Sequence, residues 1–253
     1  MKKIFSILMA LTFVAICALS VCAAPATAEG TVYDLVANFD NIADQGFSVA
    51  KRDKEGVVTP FTNWSDGTGT VISATHETKM IGYYSETVNI AKGDKATQAL
   101  FYNADDASKA LKWYPQGAVE TLIVFTAPVA GTYSYEFQTQ GIWGYVNSST
   151  RIYVEVGGEV KSEAKFAKGT AKDQAIGTFE GTVELKAGET IYLAYDPEDT
   201  ASGDNSFLQV AKVTLDKVAP APVEPAPKTN DALVAVLSLA AISGTALVIS
   251  KKH

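Results

Sequence analysis

Three tryptophans and one segment of oxygen ligands are the residues of this chain whose types and surroundings are best suited to chemistry. Trp64 lies in Asn63-Trp64-Ser65-Asp66-Gly67, Trp143 in Gly141-Ile142-Trp143-Gly144-Tyr145-Val146-Asn147, and Trp113 stands beside Tyr114. An indole offers a flat apolar face on which the C–H face of a sugar ring stacks, while nearby amides and carboxylates take the hydroxyls. The glycine and polar neighbours predict loops for these rings, where binding residues concentrate. The competing reading of each tryptophan is a ring folded down to cap a core. Trp143 with Tyr145 has the flanks best suited to exposure, followed by Trp64, Trp113 and Tyr114.

Asp196, Glu198, Asp199, Asp204 and Asn205 crowd hard oxygen donors into one segment, the ligand chemistry of calcium. Their spacing does not follow an EF-hand, which wants glycine at its sixth position, so a solvated acidic loop competes. No other cofactor is indicated. Catalytic signatures are sparse. His76, in Thr75-His76-Glu77-Thr78, reads as a surface residue, and no G-x-S-x-G is present. Two carboxylates could support glycoside hydrolysis, but no pair is marked out. A non-catalytic binding module is therefore expected, with a surface glycosidase and a structural or pilus-type subunit as the alternatives.

The chain that positions these residues is uneven. It has 253 residues, 47% hydrophobic and 19% charged, with a formal net charge of −7. Met1-Lys2-Lys3 precedes an apolar run from Ile4 to Ala23, followed by Ala26-Thr27-Ala28. A basic start, an apolar core and small residues at the end predict a secretory signal peptide over 1–28, cut after Ala23 or Ala28. Leu19-Ser20-Val21-Cys22 is similar to a lipobox, although Val21 is larger than that pattern wants. Cys17 and Cys22 both fall inside this segment. The exported part then has no thiol nucleophile, disulfide or cysteine metal site.

At the other end, Ala232–Ile249 is eighteen residues interrupted only by Ser238, Ser243, Gly244 and Thr245, and it ends in Ser250-Lys251-Lys252-His253. That length predicts a transmembrane helix over 232–249, and the lysines place its tail inside the cell. Residues 218–225 form a proline-rich, extended linker ahead of it. Ala226-Pro227-Lys228-Thr229-Asn230, the apolar span and the basic tail together resemble the sorting signal of sortase substrates in Gram-positive bacteria. That family's pentapeptides run Leu-Pro-x-Thr-Gly or Asn-Pro-x-Thr-Asn. Pro227 and Thr229 fit both, Asn230 fits the second, and Ala226 departs from both. The resemblance implies sortase as a partner, cleavage after Thr229, and covalent attachment to peptidoglycan after transient membrane anchoring. A plain membrane anchor is the alternative, and both imply an extracellular surface location.

Residues 29–229 carry seventeen basic and twenty-seven acidic side chains, a net of −10. That balance excludes nucleic acid or an anionic membrane surface as the main partner. Within 29–217 the pattern is strand after strand. Thr132–Gln138 and Arg151–Val156 alternate, Thr121–Phe125 is a continuous apolar run suited to a central strand, and Gly157-Gly158 marks a tight hairpin into Glu159-Val160. Lys186–Glu189 suggests a second hairpin between Thr182–Leu185 and Ile191–Tyr195. Further strands are expected at Val32–Phe39, Phe47–Lys51, Thr68–Ser73, Ala96–Tyr102 and Phe207–Leu215, with one or two helical turns in Asp105–Leu111.

Many short strands with regular turns predict an all-β antiparallel sandwich, and the length suits a jelly roll. Four runs carry a further likeness: Trp113–Gly117, Phe125–Tyr133, Val156–Glu159 and Val183–Ile191. Their order resembles jelly-roll modules of bacterial surface and carbohydrate-active proteins, with Glu189 in place of the usual aspartate. The resemblance implies that fold and, with the tryptophans, a glycan ligand.

Overall fold

The computed structural model describes residues 27–66, 80–85, 98–103, 106–114, 119–141, 149–198 and 206–220. Two compact units are distinguished, Met1–Ala219 and Pro220–His253, and every described residue except Pro220 belongs to the first. The expected export segment up to residue 26, the chain from 221 with the sorting signal and apolar span, and His76 lie outside the described residues. Among the described residues no helix is long and apolar enough to cross a membrane.

The described chain is almost all strand: β1 Thr31–Asp34, β2 Phe47–Arg52, β3 Val58–Pro60, β4 Asn63–Asp66, β5 Met80–Tyr84, β6 Ala99–Asn103, β7 Leu111–Tyr114, β8 Glu120–Thr126, β9 Gly131–Gly141, β10 Thr150–Val156, β11 Glu159–Phe166, β12 Ile176–Leu185, β13 Thr190–Asp196 and β14 Ser206–Val218. A short 3₁₀ segment, Phe39–Gln45, lies between β1 and β2. All pairings are antiparallel and form two sheets. One runs β12-β9-β14-β7-β6-β5-β4, with β1 also paired to β14, and the other runs β11-β10-β13-β8-β2-β3.

Alternation decides what lies between the sheets. Tyr133, Tyr135 and Phe137 of β9 share one face with Phe179 of β12 and with Ala211, Val213 and Leu215 of β14, and all are buried. They meet Ile123 and Phe125 of β8, Ile191 and Leu193 of β13, and Ile152 and Val154 of β10 in one core. The expected antiparallel β-sandwich is what forms. The run Thr121–Phe125 is an interior strand, β8, as its continuous apolarity predicts. Its outward residues Leu122 and Val124 are buried with Ala50, Tyr153 and Ala194 in a second cluster on the outer face of the six-stranded sheet.

The hairpin at Gly157-Gly158 also forms. Both glycines have positive φ (60° and 81°), the two-residue turn whose twist matches the strands it joins. The second expected hairpin does not form. β12 pairs with β9 in one sheet, whereas β13 pairs with β8 and β10 in the other. The turn between them crosses the sandwich and is tied to the β8–β9 crossing, since Gly188 N–H donates to the Ala127 carbonyl and Ala127 N–H to that of Glu189.

Three other expectations are corrected. Val32–Phe39 is not one strand, because β1 stops at Asp34, whose carboxylate accepts the Ala37 N–H at 3.0 Å and turns the chain. Residues 106–110 make a tight turn rather than helix, with the Asp106 carboxylate accepting from the Ser108 N–H and hydroxyl. β3, β4, β5 and β7 were not expected as strands, while the expected Thr68–Ser73 strand lies outside the described residues.

Candidate functional site

A single row of side chains crosses the eight-stranded sheet at one end. Gly141 pairs with Ser206, Ser206 with Trp113, Trp113 with Leu100, Leu100 with Tyr83, and Tyr83 with Trp64. Residues paired in this way share one face of the sheet. Trp113 and Leu100 are fully buried on that face, Tyr83 is half-buried, and Trp64 is 37% exposed. The face therefore passes from core to solvent along one row. In the other sheet the edge strand β3 has three residues and ends at Pro60, after which the Phe61 N–H donates to the Val49 carbonyl at 2.8 Å.

Trp64 is the one exposed aromatic side chain among the described residues. It is held by other rings rather than left loose. Tyr83 meets it edge to face at 4.6 Å between centroids, and Phe39 of the 3₁₀ segment lies 5.8 Å away. Phe39 also reaches Tyr83 and Tyr102 at 5.9 Å each. Such tilted arrangements place ring edges against ring faces, the favourable geometry for aromatic pairs. The 3₁₀ segment brings the exposed Asp40 to this shelf, and the Tyr102 hydroxyl donates to Asp40 Oδ1 at 3.3 Å. Burial raises the pKa of Tyr83 and Tyr102, and the Asp40 charge raises both further. Lys109 takes a left-handed backbone (φ 48°) and sets its ammonium 5.5 Å from the Tyr102 ring centroid.

These positions sort the expected binding residues. Trp64 is on a strand rather than in a loop, but it is exposed. Trp113 is corrected outright. It is a fully buried β7 core residue, 5.3 Å from the Tyr195 ring, because Leu111 and Trp113 point inward while the half-buried Lys112 and Tyr114 alternate with them on the other face. Tyr114 is half-buried on the outer face, packed against Tyr84, Ala99 and Phe101. Trp143 and Tyr145 lie outside the described residues, although the strands flanking them, β9 and β10, are described on either side.

No family model matches the chain, and no curated protein does. Solved structures do. A family 35 carbohydrate-binding module from Clostridium thermocellum matches at 16% identity and a TM-score of 0.29, covering 45% of this chain and 85% of that one. A family 35 module from an environmental isolate matches at 22% identity and 0.28, covering 45% and 80%. The carbohydrate-binding module of Cellvibrio mixtus lichenase 5A, in complex with cellotriose, matches at 16% and 0.26, covering 44% and 81%.

The acidic segment is only partly described. Asp196 ends β13 in register with Arg151, and Glu198 lies 3.9 Å from the Lys165 ammonium. Burial raises the Asp196 pKa, and Glu198 adds to this while Arg151 and Lys165 oppose it. Asp199, Asp204 and Asn205 lie outside the described residues. Among the described residues no group of three or more histidine, cysteine, aspartate or glutamate side chains is placed to hold a metal ion.

A second polar constellation, not anticipated, covers the outer face of the six-stranded sheet. Arg52 of β2 donates two hydrogen bonds to Glu155 of β10, at 2.8 and 3.1 Å, and one to the Tyr153 hydroxyl at 3.3 Å. The Tyr153 hydroxyl donates to Glu120 Oε1 at 2.7 Å, and Arg52 lies 3.4 Å from the other Glu120 oxygen. Burial raises the Glu120 pKa despite these partners, with Asp196 and Glu155 adding to the rise. Glu120 and Glu155 thus share one guanidinium over the buried strip of Leu122 and Ala194. Their charges are committed to each other's partner rather than flanking an open cleft.

Proposed function

We propose that this chain is a secreted, surface-anchored, non-catalytic module with a jelly-roll-like sandwich that binds carbohydrate at the Trp64 shelf. The observation that carries this reading is the Trp64 indole, exposed yet braced by Tyr83 and Phe39, beside the Asp40 carboxylate. A rigid aromatic platform presents its face without a large ordering cost, and a flanking carboxylate accepts hydroxyl hydrogens. The reading moves the main platform from Trp143 and Tyr145 to Trp64. Trp143 and Tyr145, which follow Gly141 in the sequence, remain in the proposal as a second candidate platform.

Display supports the same reading. The described chain leaves the sandwich where Val218 pairs with Gly131 and the Ala219 N–H donates to the Ala130 carbonyl. Gly131 and Gly141 are the two ends of β9. At about 3.4 Å per residue, the Trp64 row sits roughly 34 Å along the strand from that exit. A ligand surface at that end of the strand lies away from the point where the described chain leaves the sandwich. Attachment to peptidoglycan by sortase, at Ala226-Pro227-Lys228-Thr229-Asn230, completes the proposal.

A glycan array probed with the full chain and with Trp64→Ala tests the binding. Signals on defined glycans that vanish in the variant are expected. A blank array, or binding unchanged by Trp64→Ala, overturns the site. Mass spectrometry of wall-released peptide tests the tether, and a C-terminus other than Thr229 excludes the sortase cut.

A further inference from the structure

Resting on the glycan reading of the Trp64 shelf, we infer that its preferred ligand is a cationic amino sugar, a saccharide bearing a protonated amine, rather than a neutral or acidic one. Trp64 and Asp66 are two residues apart on β4 and so lie on the same face of the strand, and both are exposed. Asp40 is exposed on the segment whose Phe39 packs against Trp64. Asp40 and Asp66 thus bring two carboxylates to the segment and the strand that carry Phe39 and Trp64. An ammonium is attracted to an aromatic face by the ring quadrupole and to a carboxylate by charge, so one ligand group satisfies both.

The same surface already holds an ammonium. Lys109, the one non-glycine residue with positive φ among the described residues, sets its Nζ over Tyr102, the ring whose hydroxyl binds Asp40. That places a cation on the Tyr102 side of the shelf. On the Trp64 side, the Asp40 carboxylate has a neutral phenol as its hydrogen-bond donor and forms no ion pair within the described residues. Behind burial, the Asp40 charge raises the pKa of both Tyr83 and Tyr102, so its carboxylate acts on both rings. A neutral sugar would gain the stacking but not the charge attraction. A uronic acid would meet Asp40, Asp66 and the net −10 of residues 29–229.

Isothermal titration of the full chain with the hexamers of glucosamine, N-acetylglucosamine and glucose tests this, at low salt and at a pH where the free amine is protonated. The glucosamine hexamer is expected to bind at least tenfold tighter than the other two, with a gap that narrows as salt rises. Asp40→Asn should weaken glucosamine binding at least fivefold and leave the acetylated hexamer within twofold. Trp64→Ala should abolish all binding. Equal or weaker binding of glucosamine, with Trp64-dependent binding of the others, overturns the charge inference and leaves the glycan reading standing. Tight glucosamine binding untouched by Asp40→Asn and Asp66→Asn is diffuse attraction to an acidic protein and also overturns it. No binding of any hexamer, together with a blank glycan array, removes both.

Discussion

The Arg52 guanidinium on β2 reaches the Glu155 carboxylate on β10 through two hydrogen bonds, passing over β8 and β13, which lie between them. Its Cζ lies over the Tyr192 ring of β13, 5.1 Å from the centroid. One side chain of β2 therefore also engages β8, β13 and β10, tying four strands of the six-stranded sheet. Hydrogen bonds to charged groups stabilise by about 1.5–3 kcal/mol, and removing one partner leaves the other's charge under-compensated. Arg52→Ala is expected to lower unfolding free energy by about 2–4 kcal/mol in urea denaturation. Arg52→Lys, which keeps the charge but loses the two-pronged geometry, should recover less than half of that loss. A loss below about 0.5 kcal/mol for Arg52→Ala would show the pair to be an ordinary surface contact.

Alkaline pH tests the other half of this constellation. Burial, then the bond to Glu120, raises the Tyr153 pKa far above that of free tyrosine. A raised pKa means that the folded state holds the proton more tightly. Its contribution is therefore complete below about pH 10, where unfolded tyrosine titrates, and is lost as pH rises beyond that. Tyr153→Phe should be less stable than wild type near neutrality by about 1–3 kcal/mol, through the lost bond to Glu120. Between pH 10 and 11 wild type should then lose up to about 1.4 kcal/mol more than the variant. Parallel stability curves across that range would contradict the assignment.

Elements with long, clean alternation were legible in the sequence, and those decided by distant partners were not. β9 and β10 read directly because their side chains alternate over seven or more residues. β7 did not, because only Leu111 and Trp113 alternate inward before Pro115-Gln116-Gly117 imposes a loop composition. Trp64 looked like a loop residue for a related reason. Asn63, Ser65 and Asp66 flank it, and its strand borders the sandwich, where burial no longer marks one face. Sheet membership of β12 and β13 was likewise hidden, since a turn of Lys186–Glu189 suits a hairpin and a crossing equally. The shelf itself needed Phe39, which is brought beside Trp64 only by the fold. The signal that could have found it was Asp34, a turn former placed five residues before Phe39.

The two described tryptophans should separate stability from binding. Trp113 is fully buried against Tyr195, so Trp113→Ala is expected to cost about 3–5 kcal/mol through lost burial and a residual cavity. Trp64 keeps much of its surface in water, and Trp64→Ala should cost about 1–2 kcal/mol, chiefly lost ring contacts. Glycan affinity should follow the opposite order. Trp64→Ala abolishes it, whereas Trp113→Phe, with the core refilled, stays within threefold of wild type. Thermal unfolding and titration calorimetry on the same preparations give both readouts, and a Trp113→Phe variant that folds but fails to bind would break the separation.

Two glycines test whether the turns and crossings are as constrained as their geometry implies. Gly131 begins β9 paired with Val218, next to the irregularity between Leu215 and Lys217 of β14. A Cβ there would run into the Lys217 carbonyl oxygen and the Leu215 side chain, and neither backbone can yield without breaking a ladder bond. Gly131→Ala is expected to cost about 1–3 kcal/mol by overpacking. Gly157 has φ 60° and open space around the position of a Cβ, so only its backbone region is demanding. Asparagine tolerates that region and precedes glycine in the favoured two-residue turn. Gly157→Asn should therefore stay within about 0.5 kcal/mol of wild type. Gly157→Val, β-branched and ill suited to positive φ, should lose more than 1 kcal/mol. Urea midpoints for the three variants at constant m-value make the comparison, and a Gly131→Ala variant as stable as wild type would mean that β9 and β14 are not held as closely as their pairing indicates.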